Sequence, residues 1–477
     1  MDARPVSNTR GDGHGPVMIA DTNTRTDSTV ALSPHTSATP TRTRLRGFDL
    51  IAWRDALVAF VLSRVLLVLV GLLTVFYLLP LLKSNLTHYS LAANTRLPHA
   101  LWLMWRRFDS GFYVDIARHG YWSAATLRHI SNWVFYPLYP LLIRPIGLLL
   151  GGRDTGFNVA GLVVANGATI ASFVLLYKLT GMEFGRAAAV RAVVLLALFP
   201  TSFYLSAIYP FSLFLALSLG SLYAARRGHW TVAALCGGLA ALTRAQGLLL
   251  LAPLLWEYWQ VVSDRYAPRQ ATGDRRQAAD QGRGATNWVE RAKDWVSSRL
   301  HGPTLAARDI HNAPAVLSFA LVPLGALVFM VYAWAKTGDF LAPSHNEIHW
   351  GRHFEPPWTL LWHSLTHLSL PNALDWNFWL LNNAAAILFL LATVWAFRAL
   401  PIIYALYSLV MVLSPLASAS MQSLSRYYVV VFPALMLLAL WSNREGRPGR
   451  MYLLVGLFSA LQAVFMVFFV LALPAIA

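Results

Sequence analysis

The sequence predicts an all-α polytopic membrane protein, and three observations carry that prediction. Of its 477 residues, 56% are hydrophobic and only 13% are charged. A soluble domain usually carries about twice that charged fraction. The mean hydropathy is +0.49. The apolar residues also gather into runs rather than scattering, and a helix needs about 20 such residues to cross the hydrocarbon core. These features exclude a cytosolic enzyme, a secreted disulfide scaffold and a disordered chain. The lone cysteine, Cys236, has no intrachain partner, and no Cys/His cluster suggests zinc.

Residues 1–47 are rich in Thr, Ser, Asp, Gly and Arg and poor in large apolar side chains. Such a segment buries too little surface to fold, so a disordered tail is expected. It also lacks the apolar stretch of a cleavable signal peptide. The membrane domain is expected over 48–477. Spans read at 56–82, 158–180, 188–206, 208–225, 230–243, 247–260, 314–335, 376–397, 401–417, 427–441 and 451–473, about 11 in all. The pair 230–243 and 247–260 is short: either one kinked helix or two short helices meeting near Arg244. Segment 133–150 carries Pro137, Pro140, Arg144 and Pro145. It reads as an interfacial or re-entrant helix inside a long loop, 83–157, with an ordinary span as the alternative.

The net charge of +16 is placed by topology. With the N-terminus in the cytoplasm, 24 of the 38 Lys and Arg residues fall inside, 11 outside and three within spans. That bias obeys the positive-inside rule. It makes 83–157 and 336–375 extracytoplasmic loops and 261–312 a basic cytoplasmic linker. The charge is therefore no nucleic-acid footprint, and no nucleic-acid partner is expected.

Both outer loops are dense in aromatics, His, Arg and acids, the composition expected where chemistry sits. In the first, Phe108, Phe112, Asp115 and Ile116 recur at helical spacing, which predicts an amphipathic helix at the membrane surface. Asp109 lies near its start, where it fits either a helix N-cap or a carboxylate held as a general base. Asp115 reads as a solvated residue paired with Arg118 or Arg107. Arg64 and Arg244 fall within apolar runs, where charge is costly and marks either a structural pairing or a functional site. Arg244 suits a phosphate. In the second loop, Asp339, His345, Glu347, His349 and His353 have a loose metal-like spacing that matches no HExxH signature. Trp350 and Arg352 are better candidates for a sugar or a phosphate. Arg426, at the mouth of a late span, is either a phosphate contact or an interfacial anchor. There is no Walker motif, no GxSxG elbow and no evident inverted repeat.

Several segments, in order, resemble the GPI mannosyltransferase II (PIG-V) family and its bacterial relatives. They are Arg107-Phe108-Asp109-Ser110-Gly111-Phe112-Tyr113 through His119-Gly120-Tyr121, Phe135-Tyr136-Pro137-Leu138-Tyr139-Pro140, and Phe199-Pro200-Thr201-Ser202-Phe203 through Tyr209. Further on come Ala241-Leu242-Thr243-Arg244-Ala245-Gln246-Gly247, Thr337-Gly338-Asp339 to Trp350-Gly351-Arg352, and Ser425-Arg426-Tyr427. The resemblance implies a GT-C glycosyltransferase fold with its active site outside. It implies an integral, multi-pass protein of a bacterial plasma membrane. It also implies inverting transfer of mannose from a polyprenyl-phosphate donor to a lipid-linked or other membrane-bound acceptor. Asp109 corresponds to the family's base, and Arg244, Arg352 and Arg426 are candidates to hold the lipid phosphate. Trp350, Tyr113, His119, Tyr139 and Tyr209 are the further substrate-contact candidates. No cofactor is implied, and a metal requirement is left open. Two positions depart from the family. Phe108 stands where Trp is usual, and Tyr209-Pro210-Phe211-Ser212 stands where Tyr-Ser-Glu-Ser is common, so an acid is missing. A lipid-linked sugar transporter or flippase, or a non-catalytic member, are the alternatives.

Overall fold

The computed structural model describes residues 42–81, 97–266, 313–366, 375–421, 423–443 and 449–473. The described residues from 47 onward form one compact unit. The tail expected at 1–47 lies outside the described residues as far as 41, and the linker expected at 261–312 does so from 267. The first helix, Arg42–Leu73, begins inside the expected tail, and the helix Leu251–Tyr266 runs past the expected start of the linker.

Every described element is helical, as the apolar runs predict. Among the described residues, five helices are long and apolar enough to cross a membrane: Asp49–Leu81, Asp154–Ala197, Pro314–Thr337, Leu380–Ala399 and Gly449–Val470. A bent pair, Leu424–Val430 and Phe432–Ser442, makes a sixth if its two halves, 70° apart, count together. Several of the expected 11 spans are shorter apolar helices, such as Phe211–Arg226, Trp230–Thr243 and Ile402–Leu416, and three local features set where helices break. Gly185, at φ 81° and ψ 171°, breaks the run from Asp154 to Ala197 into two helices. Pro200 lacks the N–H that helix continuation needs, so the run expected at 188–206 ends at Ala197 and resumes only as a short 3-10 turn, Ser202–Leu205. The third feature is Arg244, whose extended backbone closes the helix Trp230–Thr243.

The chain then doubles back. A Cβ on Gly247 would lie 2.1 Å from the Ala241 nitrogen, whereas residues six apart on one helix are separated by about 9 Å along the axis. The pair 230–243 and 247–260 is therefore two short helices and not one kinked span, and only glycine fits the reversal. Small residues also set the next contact. A Cβ on Gly325 would meet the Gly238 carbonyl oxygen, so the helix Leu321–Thr337 touches Trp230–Thr243 backbone to backbone, the packing that small residues permit between apolar helices.

Among its described residues, the first long loop carries the short α-helices Leu97–Leu103, Ser110–His119 and Leu138–Leu149. The last has 12 residues with Pro145 inside it, too short to span and consistent with an interfacial or re-entrant helix. The second loop contributes Ala342–Asn346 and the 3-10 turn Glu347–Trp350. Asn346 clamps the two loops together. Its side-chain amide donates to the His129 carbonyl (2.9 Å) and the Leu127 carbonyl (3.3 Å), and its oxygen accepts from the Ser131 N–H (3.2 Å) and hydroxyl (3.0 Å).

Candidate functional site

Asp109 stands immediately before the helix Ser110–His119, in the N-cap position, yet its carboxylate caps nothing. Phe108, at φ 49°, holds a left-handed turn that an L residue adopts only at some cost. That turn swings the carboxylate away from the helix end. Its Oδ2 accepts from Arg426 Nη2 at 2.8 Å, and among the described residues Oδ1 has no hydrogen bond. The backbone is fixed as firmly. The Asp109 N–H donates to the Tyr209 hydroxyl (3.0 Å), which donates in turn to the Arg107 carbonyl (3.0 Å). Arg107 Nε donates to the Val470 carbonyl (2.9 Å), and Arg106 pairs with Asp154 (2.7 Å). Both arginines before the motif thus tie the turn to the helix bundle, leaving the acid itself free to face outward.

Asp109 opens onto a cavity of about 140 Å³. Arg244, Arg352 and Arg426 line it with Tyr113, Tyr209, Phe211, Trp350 and Tyr427. Tyr427 is the hub. The guanidinium carbons of Arg244, Arg352 and Arg426 sit 4.9, 5.6 and 5.6 Å from its ring centroid. Arg244 also lies 4.4 Å over the ring of Phe211. Cation–π contact of this kind holds like charges close together without neutralising them. Neither Arg244 nor Arg352 has a carboxylate within 4 Å among the described residues; Arg244 meets only the Gln246 side-chain oxygen at 3.3 Å. Three guanidiniums face two carboxylates here, Asp109 and Glu347, so the lining carries a net charge of +1.

Seven of the nine candidates from sequence line this cavity: Asp109, Tyr113, Tyr209, Arg244, Trp350, Arg352 and Arg426. Two do not. His119 is exposed at the far end of its helix, with Nδ1 2.8 Å from Asp115 Oδ1. Tyr139 is buried, donates its hydroxyl to the Gly161 carbonyl (2.9 Å) and packs edge-on against Tyr113. Asp115 pairs with His119 and the Trp122 indole (2.6 Å) rather than with Arg118 or Arg107. Arg64 lies outside the cavity, between the rings of Phe60 and Phe173, with bonds to the Ser63 hydroxyl and the Ser202 carbonyl. Glu347, Phe211 and Tyr427 also line the cavity, though the sequence reading proposed none of them as a substrate contact. For Tyr427 a signal existed, its place directly after Arg426 in a matching motif.

The family model described as Mannosyltransferase (PIG-V) matches residues 54–265. That match bears out the resemblance read from the motifs over the stretch holding Asp109, Tyr209 and Arg244. No curated protein sequence matches the chain. Among solved structures, ArnT from Cupriavidus metallidurans bound to undecaprenyl phosphate is similar at 15% identity and a TM-score of 0.43, over 86% of this chain and 76% of that one. The Archaeoglobus fulgidus oligosaccharyltransferase in complex with zinc and sulfate is similar at 12% identity and a TM-score of 0.39, over 86% of this chain and 53% of that one. This chain therefore spans about half the length of that archaeal protein. The family match covers a little under half of the chain, which among its described residues also holds helices long and apolar enough to cross a membrane.

Proposed function

We propose that this protein transfers mannose from a polyprenyl-phosphate donor to a membrane-bound acceptor, on the extracytoplasmic face of a bacterial plasma membrane and with inversion at the anomeric carbon. The observation that carries the reading is the convergence of one hydrogen-bonded carboxylate and three guanidiniums on a single cavity. Asp109 Oδ1 takes the proton of the acceptor hydroxyl as that oxygen attacks C1 of the sugar. The bond from C1 to the phosphate oxygen breaks, and its electron pair leaves with the lipid phosphate. A single displacement inverts the centre and needs only this one base.

The donor is a phosphodiester of charge about −1, which matches a lining of net charge +1. The departing lipid phosphate gains negative charge along the reaction. Guanidiniums fixed in a dry site therefore hold the transition state more strongly than the ground state. Arg244 and Arg352, which no carboxylate neutralises within 4 Å among the described residues, are assigned to that phosphate. Arg426 has a different role, orienting Asp109 while its charge still faces the cavity.

The outward orientation rests on the 24 to 11 distribution of basic residues. The test is incubation of the purified protein with labelled polyprenyl phosphate mannose and extracted membranes. Label is expected to move to a lipid or membrane-protein fraction, with free polyprenyl phosphate released. Label that stays on the donor overturns the proposal.

A further inference from the structure

Glu347 is the second carboxylate of the cavity, and its surroundings are unlike those of Asp109. Among the described residues it has no side-chain hydrogen bond and no cation within 4 Å, although Arg244 and Arg352 are near enough to act on it through space. Burial pushes its pKa up. An unpaired acid in such a place is costly unless donors reach it. A lipid phosphate cannot supply them, because it repels a carboxylate. Sugar hydroxyls can, since an ionised carboxylate is an acceptor only and the bonds that O–H groups donate to it are charge-assisted.

The position of Glu347 is rigid. It opens the turn Glu347–Trp350, and the preceding Asn346 makes the four bonds that clamp this loop to the first one. At the other end of the turn, the Trp350 ring packs against Phe112 and Phe135 with centroids 5.3 and 5.6 Å apart. Its indole N–H is buried without a partner. One short turn thus presents an aromatic face and an unpaired acceptor to the same cavity, across from Arg244 and Arg426 on other elements.

We propose that Glu347 is the specificity-determining residue for the sugar: its carboxylate accepts hydrogen bonds from hydroxyls of the hexose held beside Trp350, with the phosphate lying toward Arg244 and Arg352. This assignment rests on the proposed function, because it takes a phosphate-linked hexose as the ligand. It also accounts for an acid-bearing sugar site in a chain where Phe211 stands in place of the acid expected after Tyr209.

The test uses the full-length protein in lipid nanodiscs, with Glu347→Gln as the isosteric variant and Glu347→Asp as its partner. Binding is measured for polyprenyl phosphate mannose and for sugar-free polyprenyl phosphate. The wild type is expected to prefer the mannosylated lipid. Glu347→Gln is expected to lose about tenfold to a hundredfold in affinity for it, with binding of the sugar-free lipid undiminished. Glu347→Asp is expected to fall between. Thermal unfolding reports on folding separately, and the Gln variant, relieved of a desolvated charge, is expected to unfold no earlier than the wild type. A Gln variant that keeps the preference, or that weakens both lipids equally, overturns the assignment. A wild type that shows the Glu347-dependent preference but never transfers mannose leaves the assignment standing and removes the proposed function instead.

Discussion

Arg426 Nη2 donates to Asp109 Oδ2 across 2.8 Å, joining the turn at Asp109 to a helix 317 residues later in the chain. The pair is buried on the arginine side, where the Arg426 side chain is 6% exposed, and open on the other, where the Asp109 side chain is 24% exposed. That asymmetry defines the site: the cation is structural on one face, and the acid keeps one oxygen for the cavity.

Breaking this pair from the arginine side should affect both stability and rate. Arg426→Gln is expected to cost near the lower end of about 3–5 kcal/mol of unfolding free energy, because Asp109 keeps part of its carboxylate in the open cavity. Turnover should fall further than the folded fraction, since the base loses its orientation. Chemical denaturation alongside initial rates separates the two effects.

Arg244→Lys and Arg352→Lys are expected to weaken binding of sugar-free polyprenyl phosphate about tenfold each. A lysine keeps the charge but loses the planar fork and the stacking on Tyr427. Binding in nanodiscs at two salt concentrations checks this. Equal affinities for the variants and the wild type would remove both residues from the phosphate site.

Tyr209→Phe keeps the ring and deletes the hydroxyl that links the Asp109 N–H to the Arg107 carbonyl. Two backbone groups lose a partner, so a loss of about 1–3 kcal/mol in stability is expected. A larger drop in kcat than in donor affinity should accompany it, because the hydroxyl positions the base and touches no phosphate.

The sugar preference should depend on pH through Glu347. Burial raises its pKa, Arg352 and Arg244 pull it back down, and the Tyr136 phenol also faces it. With the pKa raised, the carboxylate takes up its proton at a higher pH than a free glutamate does as the solution is acidified. Preference for the mannosylated over the sugar-free lipid is therefore expected to be full at neutral pH and to decline on acidification. It should be flat in Glu347→Gln. A preference independent of pH in the wild type would contradict this.

Much of the site was legible in the sequence, and the misses have physical causes. Arg244 and Arg426 stood out because charge in or beside apolar runs is rare and needs a reason, and Asp109 and Arg352 through the composition of their loops and the motifs that hold them. His119 belongs to the same motif as Tyr113 but lies six residues on, about 240° around the helix and 9 Å along it, so it faces away from the cavity. Glu347 was hidden among the histidines and acids of its loop, because which member of such a run points inward depends on the Asn346 clamp, a long-range contact. Where each helix ends was hidden for a similar reason. Apolar composition marks what is buried or in lipid, but Gly185, Pro200 and Gly247 decide where a helix ends or the chain turns. Gly247→Ala, which would set a Cβ 2.1 Å from the Ala241 nitrogen, is accordingly expected to prevent normal folding.

The central claim is that Asp109 is the base, and its most direct test is the rate of mannose transfer by Asp109→Asn in nanodiscs. The amide keeps the shape of the side chain and cannot take the acceptor proton. The account predicts that transfer falls at least about a hundredfold while the variant still binds sugar-free polyprenyl phosphate. Transfer within threefold of the wild type would show that the proton goes elsewhere and that the account is wrong.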